Sequence, residues 1–559
     1  MTKSVRIANG ILHHDDECEI VFMAHGGRIV AHRLTRPRAQ RIEMTQSRRW
    51  ERLLALLLGC SAAALLLGCA GSPAKRAEGR VEQAFDVARG NPLTLRAFLV
   101  DMPKGAELHY HLGGGVYAET FIRDGAEDHL CVNLASKSFV KKQGTNCAKG
   151  DVPAESALQN QQLFDTLVDA FSMRGFVATP GVTGHDQFFD TFPRFGAVDS
   201  RHTGEWLDEA ATRAASQNVQ YMELMLTPPF GDAAAIAKEV GWHGEDFGAF
   251  REQLLAKGLR DEVATTRAFL DTAEAGRRDL EHCGQANESA ACRVEIRYIY
   301  QVLRAFSPEQ VFAQTVLGFE AAAADPRIVG INYVQPEDDR TAMANYALQM
   351  RQVGYLHSVY PKTHISLHAG ELEPGMVPPD GLRFHIRMAI ETAHAERIGH
   401  GVDVMYEDQP YELLREMAAN HVMVEINLTS NDVILGIAGY EHPFRIYRKY
   451  KVPVALSTDD EGVSRIDLTH EYERAVLTFA LSYADVKQLV RTSLEHSFLP
   501  GASLWQSPDR FDRRVAVCAQ DDWASAPASS SCAEFLRSSE RAQQQWELER
   551  RFRVFEASH

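Results

Sequence analysis

Four short segments hold the residue types that hydrolytic chemistry needs: His109-Tyr110-His111, His368-Ala369-Gly370-Glu371, Gly399-His400-Gly401 and Ser457-Thr458-Asp459-Asp460. Residues two apart on a strand share a face, so His109 and His111 can address one metal ion. A third imidazole from His368 and a carboxylate from Asp459 would complete a nitrogen and oxygen set suited to Zn²⁺, with one position left for water. Alone, each piece is ambiguous. In a chain with 22 histidines an HxH arises by chance. A single glutamate is usually a solvated carboxylate, His400 between glycines could be a loop residue, and Asp459-Asp460 could cap a helix. Their joint placement at the ends of apolar runs favours a metal centre.

Those runs are Glu107–Leu112, Val219–Leu226, Val294–Val302, Ile328–Val334, His364–His368, Arg397–His400, Met423–Leu428 and Val452–Ser457, with longer amphipathic stretches between most of them. Eight short strands alternating with helical segments predict an α/β fold, a (β/α)₈ TIM barrel, whose C-terminal rim gathers catalytic groups. The rival, a doubly wound open sheet, lacks its Gly-rich dinucleotide turn. The gap 113–218 is too long for one crossover and predicts an insertion after strand 1. The segment from about 533 to the end reads as an amphipathic helix serving packing or self-association.

The 559 residues carry a net charge of −16, 45% apolar and 24% charged residues, values of an ordinary globular protein. The acidic balance argues against a nucleic-acid partner. Residues 53–68 form a long apolar run preceded by Arg48, Arg49 and Arg52 and followed by Cys69, too short to span a bilayer comfortably. This resembles a bacterial lipoprotein leader, with Cys69 as the acylated residue. The expected organisation is an over-called start at 1–43, a signal peptide at 44–68, a linker at 69–80 and one catalytic domain at 81–559. The only membrane contact expected is the lipid anchor at Cys69, and Ala70 after it points by lipoprotein sorting rules to the outer membrane. Six further cysteines fall in local couples, Cys131/Cys147, Cys283/Cys292 and Cys518/Cys532, which in an exported protein suggest sequential disulfides.

The segments MPKGAELHYHLGGG, SLHAGE, RIGHGVD and LSTDDEGVS resemble, in order, those of the adenosine deaminase family of metal-dependent aminohydrolases. The leader and the long insertion with its cysteine couple resemble most the secreted, growth-factor-related branch. The resemblance implies one Zn²⁺ held by His109, His111, His368 and Asp459. It further implies that Glu371 shuttles protons, His400 and Asp459 orient the attacking hydroxide, and Asp460 bonds a purine ring nitrogen. The implied reaction is hydrolytic deamination of adenosine, and of 2′-deoxyadenosine, to the inosine product and ammonia, with a purine nucleoside as the small-molecule partner.

Two departures bear on substrate. Where many members have Leu-Asp-Gly after the first motif, with the Asp on the ribose, this chain has Leu112-Gly113-Gly114, leaving Gly113 at the sugar. Where the fourth strand usually ends in a glycine against the purine, this chain has Gln335, which should reshape the base pocket. Adenine and methylthioadenosine are therefore rival substrates, and a non-catalytic nucleoside-binding or signalling protein is the rival class. The polar run Glu425-Ile426-Asn427-Leu428-Thr429-Ser430-Asn431 suits either substrate or the backbone at a strand end.

Overall fold

The structure, a computed structural model, describes residues 20–25, 28–33, 73–242, 244–523 and 529–559. The chain divides into two units, Met1–Ser72 and Pro73–His559. In the first, Ile20–His25 and Arg28–Arg33 pair as an antiparallel hairpin. The expected signal peptide and Cys69 lie outside the described residues, as do Cys18 and Cys60.

In the second unit eight parallel strands form the predicted barrel: β1 (Gly105–His111), β2 (Val219–Leu226), β3 (Glu295–Leu303), β4 (Ile328–Val334), β5 (His364–Ala369), β6 (Arg397–His400), β7 (Met423–Ile426) and β8 (Val454–Leu456). Neighbours in sequence are neighbours in the sheet. The seam is closed between β1 and the end of β8, where Asp459 N–H donates to the His109 carbonyl (3.0 Å) and His111 N–H to that of Asp459 (3.2 Å). The apolar positions of the strands pack outward against the helices as one large core. Inside the barrel a small apolar cluster of Met225, Ile299 and Phe498 is joined by polar filling. Glu107, Glu223, Ser366, Arg397 and Glu425 are all buried, and Arg397 lies 2.6 Å from Glu223 and 2.7 Å from Glu425. Buried charges survive only when paired, and here Arg397 also lies over the Phe498 ring at 3.8 Å.

The linker expected at 69–80 gives way to helix at Pro73, which begins a helix running to Ala88. Proline is tolerated in a first turn because its missing N–H has no intrahelical partner anyway, and Val81 and Phe85, four apart, bury one face of this helix. The C-terminal segment is two helices rather than one, Ser530–Ser538 and Glu540–Ser558. They break at Ser539, whose side chain accepts from Ala542 N–H as an N-cap. Leu548, Phe552 and Phe555 join the main core, so this element packs on the barrel.

The insertion after β1 carries a small three-stranded sheet, Cys131–Asn133, Ser138–Val140 and Val152–Pro153, with its own apolar cluster. The disulfides are Cys131–Cys147, Cys283–Cys292 and Cys518–Cys532, the sequential set expected. Among the described residues no helix is long and apolar enough to cross a membrane.

Candidate active site

All nine residues expected at the centre or its rim converge at the C-terminal end of the barrel, Gly113 among them just beyond β1. His109 and His111 come from β1, His368 and Glu371 from the end of β5, His400 from the end of β6, and Asp459 and Asp460 from beyond β8. Gln335 follows β4. His111 Nε2 lies 3.2 Å from His368 Nε2 and 3.1 Å from Asp459 Oδ1, and His109 Nε2 is 3.5 Å from the same oxygen. Ligand atoms of His109, His368, His400 and Asp459 all fall within 4.8 Å of one another.

Each of the three imidazoles uses its other nitrogen on an oxygen behind it. His109 Nδ1 meets Glu425 Oε2 at 2.6 Å, His111 Nδ1 meets Gln301 Oε1 at 2.6 Å, and His368 Nδ1 meets Asn332 Oδ1 at 2.8 Å. Nδ1–H donated outward leaves an Nε2 lone pair facing inward, the arrangement a metal-binding histidine requires. His109 Nε2 has no protein hydrogen-bond partner although fully buried. Three lone pairs and a carboxylate aimed at one point fit a divalent cation such as Zn²⁺.

The acids around this point are held in different states. Burial, with Asp459 and Glu337 nearby, pushes Glu371 well above the usual carboxyl range, which favours its protonated form. Burial pushes Asp460 up to about 7. Against burial, the Arg397 guanidinium and the His109 ring hold Glu425 below its ordinary value. Glu337 is likewise held at about 2, against burial, by the His385 ring and Arg304. Its carboxylate accepts from Gly370 N–H at 3.1 Å and Glu371 N–H at 2.8 Å, which fixes the turn presenting Glu371.

Two glycines are needed for close approach. A Cβ on Gly114 would sit 1.6 Å from Asp460 Oδ1, and one on Gly399 would sit 2.7 Å from His109 Cε1. At Gly113 a Cβ would meet nothing within 4 Å, so the position is open. Gln335 lines the cavity, but its Oε1 accepts from Ala305 N–H at 2.8 Å. Residues of the polar run that begins in β7 support the reactive groups. Glu425 holds His109, Ser430 donates to Asp459 Oδ2 at 2.7 Å, and Asn431 bonds His400 at 2.9 Å. Glu425 stands out as a polar position in the apolar strand MVEI, as Gln301 and Asn332 do in theirs, but nothing local marks any of them, or Glu337, as the support of a particular catalytic group.

The cavity above the cluster measures about 380 Å³. The helix Gly184–Phe195 of the insertion covers it with Phe188, Phe189 and Phe192, facing Leu303, Val334 and Ile434. That helix is started by a Thr183/Asp186 capping box, and a Cβ at its Gly184 would strike the Val433 carbonyl at 1.8 Å. His185 Nε2 lies 3.0 Å from Asp338 Oδ1, tying this cover to the loop after β4. These aromatic residues were not foreseen, because nothing local marks which side of an insertion faces the barrel.

The family model for adenosine deaminase matches residues 206–504. An adenosine deaminase of Clostridium perfringens is 33% identical over 168 residues, 30% of this chain and 43% of that protein. One of Shewanella loihica is 38% identical over 112 residues, 20% and 33% respectively. The chain thus spans less than half the length of these curated relatives. Among solved structures, an adenine deaminase of Arthrobacter aurescens aligns with TM-score 0.46 and 18% identity over 71% of this chain and 94% of its own. The N6-methyl-AMP deaminase of Arabidopsis thaliana aligns with 0.47 and 20% over 72% and 94%. With more than half of its residues inside the family model, the chain belongs to the metal-dependent adenosine deaminase family.

Proposed function

We propose that this chain is a zinc-dependent hydrolase that deaminates adenosine, and 2′-deoxyadenosine, to the inosine product and ammonia. One observation carries the reading. Three imidazole nitrogens and the Asp459 carboxylate meet at the floor of a cavity into which Glu371 and Asp460 also face. His109, His111, His368 and Asp459 would hold the ion. Zinc supplies Lewis acidity, which brings the pKa of water to about 7.

The chain's own groups do the rest. Glu371, whose burial favours the protonated form, gives its proton to the ring nitrogen beside the amino-bearing carbon and makes that carbon electrophilic. Asp460, poised at about 7, is placed to hydrogen-bond a second ring nitrogen. His400 orients the attacking oxygen. Glu371 then takes one proton of the attacking water and passes it to the departing amine, and takes the second from the new hydroxyl as the carbonyl forms, which restores its own proton, so water plus adenosine balances inosine plus ammonia.

Absence of lysine and arginine from the described cavity lining argues against a phosphate ester. The apolar wall and the open position at Gly113 favour, as a second reading, an adenine compound whose sugar is altered or missing, such as methylthioadenosine or adenine. The test is ultraviolet difference spectroscopy of zinc-loaded protein against adenosine, deoxyadenosine, adenine, methylthioadenosine and AMP. Adenosine turned over to inosine supports the first reading, and adenine or methylthioadenosine clearly preferred replaces it. Glu371→Gln should abolish nearly all turnover while zinc stays bound; retained turnover would refute the role. Export and lipidation at Cys69 are part of the proposal, supported by the leader composition and three disulfides. Lipid labelling lost in Cys69→Ala is the expected result.

A further inference from the structure

We infer that His442 and Asn431 form a relay that fixes the tautomer of His400, holding its proton on Nε2, and are positioning residues for the reaction. The direction of every bond follows from its first donor. Phe444 N–H, in the first turn of the helix Phe444–Tyr450, can only donate, and it points at His442 Nδ1 at 3.1 Å. That nitrogen must therefore carry a lone pair. His442 is neutral with its proton on Nε2.

His442 Nε2–H then donates to Asn431 Oδ1 at 3.0 Å. The opposite amide orientation would set N–H against N–H, so Asn431 is locked with its Nδ2 toward His400. Asn431 Nδ2 donates to His400 Nδ1 at 2.9 Å, and Asn427 Nδ2 approaches the same nitrogen at 3.5 Å. Glu371 Oε1 also lies 3.5 Å from that nitrogen, farther than the Asn431 amide, so the shorter donor contact sets the tautomer: His400 Nδ1 accepts and the proton resides on Nε2.

Every member is shut away from solvent, so water cannot substitute for a broken link. His400, Asn431 and Asn427 are fully buried and His442 is buried beside them. His400 Nε2 has no hydrogen-bond partner in the protein and lies 3.8 Å from Asp459 Oδ2, so its N–H faces the reacting position. A group fixed in this state gives a hydrogen bond to the attacking oxygen and cannot serve as the base that takes its proton. That duty falls to Glu371.

The inference rests on the deaminase reading for its kinetic test. Asn431→Asp keeps size but offers acceptors to both histidines, which forces the His400 proton to Nδ1 and leaves a lone pair at the reacting position. Turnover should fall about 10²- to 10⁴-fold, as wrong tautomers do, with KM and zinc content close to wild type. His442→Gln can rebuild the relay, its oxygen accepting from Phe444 and its amide donating to Asn431, and should stay within about fivefold of wild type. His442→Leu cannot, and should lose about 10- to 100-fold. Asn431→Asp with kcat within tenfold of wild type, or His442→Gln as impaired as His442→Leu, overturns the proposal. If Asn431→Asp does not fold, the His442 pair decides. If the wild-type protein turns over none of the panel, the deaminase reading fails by itself and neutron diffraction decides this one. Deuterons on Nε2 of both His400 and His442 support the relay, and a deuteron on Nδ1 of either overturns it.

Discussion

Gly399→Ala isolates the geometry on which the metal reading depends. Gly399 shares the inner face of β6 with Arg397, and a Cβ there would stand 2.7 Å from His109 Cε1 and 3.0 Å from its Nδ1. Carbon atoms in ordinary contact sit about 3.5–4.0 Å apart, so the ring would have to retreat by roughly 1 Å. It has nowhere to go, because His109 is fully buried and its Nδ1 is held 2.6 Å from Glu425, itself paired with Arg397. Metal–ligand distances tolerate only about 0.2 Å. Either the ligand is lost or the site absorbs overpacking of about 1–3 kcal/mol, which is about 5- to 150-fold in an equilibrium constant. Zinc affinity, measured by competition with a chelating dye on zinc-stripped protein, should fall within that range or beyond it. The thermal midpoint of the stripped variant should change less than its zinc-loaded midpoint, since alanine suits a strand better than glycine. A variant with zinc affinity within threefold of wild type would refute the reasoning, by showing that His109 is not a ligand.

Gly114→Ala should leave zinc binding intact but displace Asp460, whose Oδ1 would lie 1.6 Å from the new methyl. Losing a hydrogen bond to a charged partner, about 1.5–3 kcal/mol, predicts kcat/KM lower by about 10- to 150-fold, and unchanged steady-state kinetics would remove Asp460 from the substrate. Glu407 accepts from Ile386 N–H at 2.6 Å with one oxygen, leaves the other unpartnered, and is pushed by burial up to about 7. Its folded value stands above the unfolded one, near 4.5. The native state thus retains a proton that the unfolded chain releases, and stability should decline as pH rises from about 4.5 to 7, by up to about 1.4 kcal/mol per pH unit for one group. Thermal midpoints across that window should show a flatter profile in Glu407→Gln than in wild type; identical slopes would contradict the assignment.

How much of this was legible in the sequence depends on whether the signal is local. The strands were readable because each is a short apolar run bounded by turn residues, and every one of the eight was found to within a few residues. The reactive groups were readable for the same reason, since each sits at or just beyond the end of its run. Supporting residues were not. Asn332 and Gln301 are polar positions within apolar strands, and only the closed barrel sets them behind His368 and His111. Lys104 and Glu107 lie in the first motif beside the ligands, yet neither reaches the cavity. Lys104 donates to the carbonyls of Leu99, Met102 and Gln217, and Glu107 accepts from Thr458 N–H. Motif membership alone could not separate these roles.

Backbone conformation explains a further part of what the sequence concealed. Gln335, His400 and Asp459, at the ends of β4, β6 and β8, all have positive φ, at 87°, 69° and 64°. Side chains other than glycine pay roughly 1–2 kcal/mol for that region, and such strain persists only where surrounding structure over-determines it. Here it is over-determined by identifiable bonds: Ala305 N–H on the Gln335 side chain, Asn431 on His400, and the β1–β8 seam on Asp459. The left-handed turn redirects each side chain from the strand line at the mouth of the barrel. Asp459 therefore has two duties, closing the barrel through its backbone and offering its carboxylate to the cluster. Because the same residue closes the fold and completes the donor set, zinc binding and integrity of the β1–β8 seam should be coupled, a link that no spacing of residues in the linear sequence could express.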